Sequence, residues 1–342
     1  MRHLPLDRFC PTFGRRARFV GIAAASVGAS AVWIEAAAKP VFEGIMRRPL
    51  APMYGYYWRS GEVVQNLGDT LAAFFARYFG YRLLTDQPPW NPFTPSSLLV
   101  GSIITRGRIL RQSLGYRPVE VWGCGSRGVG IGRVARALAR FRAVRGPLTR
   151  EILGLPETVP LGDPGLLCAR IFARPAIEHD RAILIPHFLR EADAAVAARA
   201  AGCSDVISMG VALDTADRDY LDLPRAEHDA ASDLGGVIST VAQIASAGFV
   251  LSSSLHGAII AQAYGRPWAI YDNGALDLPF KWRDYGASLG VEIRPVSTLA
   301  EGMAWYRSNA SVLTSSPIDL DRLEEAFPTD YGCRSTVSAL AQ

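Results

Sequence analysis

The chain reads as an α/β protein built on parallel sheets, and three observations predict this. Short apolar runs alternate with longer helical patterns from Met53 onward, the rhythm of strands buried on both faces by helices. One stretch, residues 248–272, shows a whole β-turn-α-β unit in miniature. Hydrophobic residues make up 49% of the chain and charged ones 20%, which places it among ordinary globular proteins.

The elements follow in order. Residues 54–58 read as the first strand and 68–79 as an amphipathic helix. Strands are expected at 82–84, 98–100, 119–122 and 141–144, and a helix over 148–153. The segment 85–97 holds four prolines and reads as a surface loop near the first crevice. A second series begins after Gly162-Asp163-Pro164, with strands at 182–185 and 206–209 and an Ala-rich helix over 191–201 between them. A helix over 237–247 leads into the unit that opened this reading.

In that unit Phe249-Val250-Leu251 suits a buried strand and Ser252-Ser253-Ser254-Leu255 a polar turn. His256-Gly257 opens an apolar helix, Gly265-Arg266-Pro267 stops it, and residues 268–271 form the next strand. An ionisable His256 thus stands at the carboxyl end of a strand and the amino end of a helix. Ligands of open α/β sheets gather in that crevice, and free backbone N–H groups there attract anions. The last segment, 298–327, reads as helical and able to pack back across a hinge. The expected plan is an extension over 1–52, Rossmann-like domains over 53–161 and 162–297, and a helical segment over 298–342. The two domains would face one another across a cleft, similar to the GT-B glycosyltransferase plan.

Charge narrows the partners. The formal net charge is +4, but residues 1–52 hold eight Arg or Lys and three acids. The remainder is near neutral, so a broad basic face for nucleic acid is not expected. Cys10, Cys124, Cys168, Cys203 and Cys333 are odd in number, and no pair has ligand or redox spacing. Neither a disulfide framework nor a metal site is indicated, and a reducing compartment fits. In the extension, Arg15-Arg16-Ala17-Arg18 precedes an apolar run over 19–34, and Ala29-Ser30-Ala31 imitates a cleavage site. Three readings stay open: a secretory signal or anchor, a helix lying on a membrane or partner, and dispensable sequence upstream of a later start at Met46 or Met53.

Several pieces share an ordered resemblance. Ser254-Leu255-His256-Gly257, Asn66-Leu67-Gly68-Asp69, Val121-Trp122-Gly123-Cys124-Gly125-Ser126, Val144-Arg145-Gly146-Pro147, Gly162-Asp163-Pro164, Ile185-Pro186-His187 and the segment from Pro279 to Tyr285 resemble successive segments of the polysaccharide pyruvyl transferase family. One departure stands out, since many members carry Arg where this chain has Ser254. The resemblance implies transfer of pyruvate from phosphoenolpyruvate to a sugar of a bacterial surface polysaccharide, as a ketal. Phosphoenolpyruvate is then a donor substrate and no cofactor is needed. It also implies a saccharide acceptor, lipid-linked, and a cytoplasmic protein at the inner face of the membrane.

Such chemistry requires a proton donor for the methylene carbon, a base for the hydroxyl, and cationic groups for the phosphate and carboxylate. His256 is the first candidate, as general acid or as phosphate ligand, since an imidazole changes charge near neutrality; a helix-capping role is the plain alternative. Asp69 is either the hydroxyl base or a helix cap. Arg145 is either a donor-binding fork or a surface arginine. Ser254, Leu255 and Gly257 shape the turn, and Arg127 and Asn66 are further substrate contacts. His187 occupies the matching strand end of the second domain. Lys281 is either a substrate contact or the partner of Asp284 in an ion pair, and Asp163 reads as an organiser of the crossover. Two rival functions remain: a nucleotide-sugar-dependent glycosyltransferase of the GT-B plan, and a non-catalytic subunit of a polysaccharide-synthesis complex. The first would want a carboxylate for the donor ribose, and none follows the Leu-His-Gly turn until Asp272.

Overall fold

A computed structural model describes residues 51–58, 64–84, 95–188, 191–212, 235–272 and 276–329. The extension over 1–50, most of the proline-rich loop and the last residues lie outside them. Among the described residues no helix is long and apolar enough to cross a membrane.

The first half contains β1 (Ala51–Tyr56), β2 (Val64–Asn66), α1 (Leu67–Tyr78), β3 (Tyr81–Leu84) and β4 (Ser96–Leu98). It continues through α2 (Arg106–Ser113), β5 (Val119–Val121), α3 (Gly132–Leu138), β6 (Ala139–Phe141) and α4 (Pro147–Ile152). Five strands form one parallel sheet in the order β3-β1-β4-β5-β6. The observed strands end earlier than the apolar runs suggested. Leu99, Val100 and Trp122 are fully buried yet lie beyond the ladder, because burial, not pairing, selected those side chains. The helices α2 and α3 escaped the sequence reading for the opposite reason. Each is dominated by arginines and buries little, although Thr105 caps α2 by accepting from Arg108 N at 3.1 Å.

After a 3₁₀ turn (Pro164–Leu167) the second half runs α5 (Cys168–Ile171), β7 (Glu178–Ile185), α6 (Ala194–Ala201), β8 (Asp205–Val206), β9 (Gly210–Ala212) and α7 (Gly235–Ser246). It ends with β10 (Ala247–Ser252), α8 (Leu255–Ala263), β11 (Trp268–Ile270), α9 (Pro279–Leu289), α10 (Leu299–Thr314) and α11 (Leu320–Glu325). Four strands make a second parallel sheet, β11-β10-β7-β8. The α/β class with two parallel sheets therefore holds, as Rossmann-like units require.

The strand expected over 206–209 is replaced by two short pieces. The chain leaves the sheet after Val206, and β9 pairs antiparallel with β2 from the other half. Ser208 turns the corner, its hydroxyl donating to Glu191 Oε1 at 2.6 Å and accepting from Gly210 N at 2.8 Å. Two further contacts join the ends of the chain. Trp122 Nε1 donates to the Leu323 carbonyl at 2.7 Å, and Phe327 stacks on Phe79 with ring centroids 3.9 Å apart. Burying each such large apolar side chain stabilises the fold by roughly 1.5–3 kcal/mol. These contacts, with β2–β9, fix α1 of the first half against the start of α8 in the second.

Candidate functional site

The site is built where β10 delivers the chain into α8. Ser252 Oγ donates to Ser254 O at 2.7 Å and accepts from Ser254 N at 3.1 Å, closing a tight turn. Ser253 N donates to Ile185 O at 2.8 Å and ties the turn to β7. Ser254 occupies the cap position of α8 but makes no side-chain cap bond. Leu255 points into the core. A Cβ on Gly257 would sit 2.5 Å from Ser252 Oγ and 2.8 Å from Ile185 Cδ1, so the glycine after His256 is a steric necessity. His256 itself is only 8% exposed.

The first half meets this imidazole at the start of α1. Gly68 packs so closely on His256 that a Cβ there would overlap the ring at Nδ1. The next residue, Asp69, is also buried, and Asn66 Nδ2 donates to its Oδ2 at 2.6 Å. Burial pushes the Asp69 carboxyl up to about 6, while His256, the Asn66 hydrogen bond and Lys281 act in the other direction and Asp163 adds to the rise. A carboxyl with that value can lose or gain a proton near neutral pH.

Asp163 closes the opposite side. Its Oδ1 accepts from Gly165 N at 3.0 Å, capping the 3₁₀ turn, and lies 3.7 Å from His256 Nε2. Asp163 Oδ2 and His256 Nε2 are buried with no hydrogen-bond partner among the described residues. Gly123, at φ +70°, admits Pro164, whose ring would overlap any Cβ placed there. The Gly-rich turn thus admits the close approach of Pro164.

Arg145 follows the bridge between Val144 and Cys124. The surface reading is overturned, because the residue is 0% exposed. Its Nη1 donates to Ser102 Oγ at 2.8 Å, and its Nε lies 3.5 Å from Asp284 Oδ2. Nε and Nη2 have no hydrogen-bond partner among the described residues, and Gly125 backs Nη2 where a Cβ would collide. The cation is enclosed, not displayed at an open strand end. Asp284 also accepts from Thr149 N at 2.9 Å and Thr149 Oγ1 at 2.6 Å. The anticipated Lys281–Asp284 pair therefore does not form. Arg145 and Thr149 occupy the Asp284 carboxylate, and Lys281 Nζ instead reaches Asp277 Oδ2 at 2.7 Å.

That second pair forms a rim. His187 Nε2 lies 3.6 Å from the same Asp277 oxygen. A hydrogen bond from His187 and the Lys281 charge hold the Asp277 carboxyl well below the usual range against its partial burial. Burial lowers the Lys281 ammonium, with Asp277 opposing and Arg145 adding to the fall; Asp69 also lies within its electrostatic reach. The rim and the inner groups therefore share one electrostatic neighbourhood. Arg127 is exposed. Burial pushes the Cys124 thiol far up, which leaves it protonated and unsuited to nucleophilic work. Among the described residues no cluster of three or more His, Cys, Asp or Glu could hold a metal.

The structure therefore gathers His256, Asp69, Asn66 and Asp163, with Lys281 and Arg145 alongside. Sequence reasoning undervalued Asp163, and it missed Ser102, Thr149 and Asp277. A Gly-Asp-Pro turn beside a predicted site was the available sign for the first.

Comparison with known proteins follows the same residues. The profile of the family "Polysaccharide pyruvyl transferase" matches residues 112–274, a span holding Arg145, Asp163 and His256. The succinoglycan biosynthesis protein ExoV of Rhizobium meliloti (strain 1021) is 28% identical over 259 residues, covering 73% of this chain and 71% of the relative. A crystal structure of a Klebsiella pneumoniae protein titled uncharacterized (KP1_0663) is 12% identical, covers 79% of this chain and 100% of its own, and superposes with a TM-score of 0.40. That likeness is too low to carry an argument. The family resemblance read from the ordered segments agrees with the family match, which holds those between residues 112 and 274.

Proposed function

From a chain of the polysaccharide pyruvyl transferase family, we propose an enzyme that moves pyruvate from phosphoenolpyruvate to a sugar of a bacterial surface polysaccharide or its lipid-linked repeat unit. The reaction forms a ketal. The proposed setting is the cytoplasm at the inner membrane face, with domains over 53–161 and 162–297 closing on the substrates in the GT-B manner. The observation that carries the reading is the buried His256 imidazole and Arg145 guanidinium, each short of hydrogen bonds among the described residues, beside a carboxyl raised to about 6.

The chemistry balances as follows. A proton adds to the methylene carbon of phosphoenolpyruvate, and positive charge develops at the adjacent carbon. A sugar hydroxyl bonds to that carbon and loses its proton. The carbon–oxygen bond to phosphate then breaks, inorganic phosphate leaves, and a second hydroxyl closes the ring, its proton leaving with the phosphate. His256 supplies the first proton or holds the phosphate, and Asp69, ionised above about pH 6, takes the hydroxyl proton. Arg145 and Lys281 offset the donor's negative charge. For Arg145 to touch the donor directly, the turn at Gly125 must part from its Nη2. Asn66 orients Asp69, Ser254 and Gly257 shape the phosphate end, and His187 faces the acceptor side. Arg127, exposed, is a further candidate substrate contact.

Purified protein should release phosphate from phosphoenolpyruvate only when a saccharide acceptor is present. The polysaccharide of a strain lacking the protein should lose a pyruvate-sized substituent by mass spectrometry. Release of nucleotide from a sugar nucleotide, or an unchanged polymer, counts against the reading.

A further inference from the structure

Asp163 was read from sequence as an organiser of the domain crossover, and its Oδ1 does cap the 3₁₀ turn through Gly165 N. That role uses one oxygen. The other is fully buried and unpartnered among the described residues, as is His256 Nε2 beside it. The imidazole Nε2 lies 3.7 Å from Oδ1, the capping oxygen. A buried carboxylate and a buried imidazole, each with one atom lacking a hydrogen bond among the described residues, thus form a pair with a gap. Such bonds are often long without substrate and tighten when it binds. Leaving either group permanently unsatisfied costs stability.

We propose that Asp163 is the positioning residue of His256, accepting its Nε2–H when substrate binds and thereby fixing the ring so that Nδ1 serves the reacting side. The ring has little other freedom. Gly68 closes on Nδ1 from α1, where a Cβ would overlap the ring. The groups facing the pair come from several elements. Asp69 lies on the Gly68 side of the imidazole. The Tyr285 hydroxyl of α9, buried and unpartnered among the described residues, and the Cys124 and Cys168 thiols lie within electrostatic reach of Asp163. Burial raises both thiols and the phenol, so all three stay neutral, and Asp163 is the anion that meets Nε2. Asp69 is the second carboxyl, and Lys281 lies within electrostatic reach of it.

The catalytic consequence rests on the pyruvyl transfer reading, but the geometric claim does not. Asp163→Asn keeps an oxygen for the Gly165 cap and removes the charge. In protein with ¹⁵N-labelled histidine and phosphoenolpyruvate added, the native His256 should carry its neutral-form proton on Nε2. In Asp163→Asn a substantial fraction should move to Nδ1. With turnover, kcat should fall about 100-fold, the pH profile should change shape, and KM for phosphoenolpyruvate should stay within about threefold. An unchanged tautomer and pH profile would overturn the proposal and leave Asp163 as a cap alone. A shifted tautomer in a protein without transferase activity would support the pair while sinking the reaction. Should Asp163→Asn fold poorly, Gly165→Ala, whose Cβ would crowd Ile259 and the Asp163 Oδ1 at 3.3 Å without altering charge, must perturb the same resonance through Asp163, and no perturbation would overturn the proposal too.

Discussion

The inner cluster and the rim lie in one electrostatic neighbourhood but solve opposite problems. Inside, Asp69, Asp163, His256 and Arg145 are almost wholly shielded from water, and His256, Asp163 and Arg145 each keep an atom without a hydrogen bond among the described residues. At the rim, Asp277 is claimed by both Lys281 and His187 and remains partly exposed. Buried polar groups are normally satisfied, so the inner deficit is the mark of a place awaiting a ligand. The rim, already paired, is a frame that a ligand brushes past.

If that contrast is right, inner substitutions outweigh rim ones. His256→Gln should lower kcat/KM for phosphoenolpyruvate by about 10²–10⁴-fold, the usual worth of a positioned proton donor, read from steady-state phosphate release. Gly68→Ala should cost about 100-fold, because the methyl must displace the imidazole it now touches, and overpacking should lower stability by roughly 1–3 kcal/mol in denaturant unfolding. A wild-type rate in Gly68→Ala would break the claim that α1 and α8 share one site.

Asp69→Asn tests the same cluster through pH. With Asp69 as base, native activity should climb as pH rises through about 6, and the variant should lose that limb. The stability sign is fixed by the raised value. The folded state holds this proton more tightly than the unfolded chain, so the contribution is full below about pH 4 and lost as pH rises through about 6. Asp69→Asn, which is never charged, should therefore gain on the order of 2–3 kcal/mol relative to wild type above that pH, measured by unfolding at pH 4 and pH 8. The smallest effect belongs to the rim. Asp277→Asn should alter KM by only about fivefold, as for a partly exposed ion pair.

Legibility in the sequence followed the same divide between burial and pairing. The strand and helix rhythm announced both sheets, because the buried stretches of strands such as β7 (Ala182–Ile185) and β10 (Phe249–Leu251) are apolar. The turn at His256 was visible because serine, histidine and glycine stand together between two such runs. Strand ends were less legible, since Leu99, Val100 and Trp122 are apolar for packing beneath loops and not for the ladder. The β2–β9 pair was invisible, as it joins segments from opposite halves through three residues each. Nothing local distinguishes Asp284 as the partner of Arg145, because that contact depends on α9 meeting α4 in space. Asp163 was seen but undervalued, its proline neighbour suggesting a turn and its second oxygen being a fact of three dimensions.

The most direct measurement is the affinity for phosphoenolpyruvate, by calorimetry, of wild type, His256→Gln, Arg145→Lys and Asp277→Asn. Losses of about 30-fold or more in the first two variants, beside less than about fivefold in the last, are expected if one phosphorylated acid meets both the buried imidazole and the buried guanidinium. Binding undiminished in His256→Gln and Arg145→Lys, or lost only in Asp277→Asn, would contradict it.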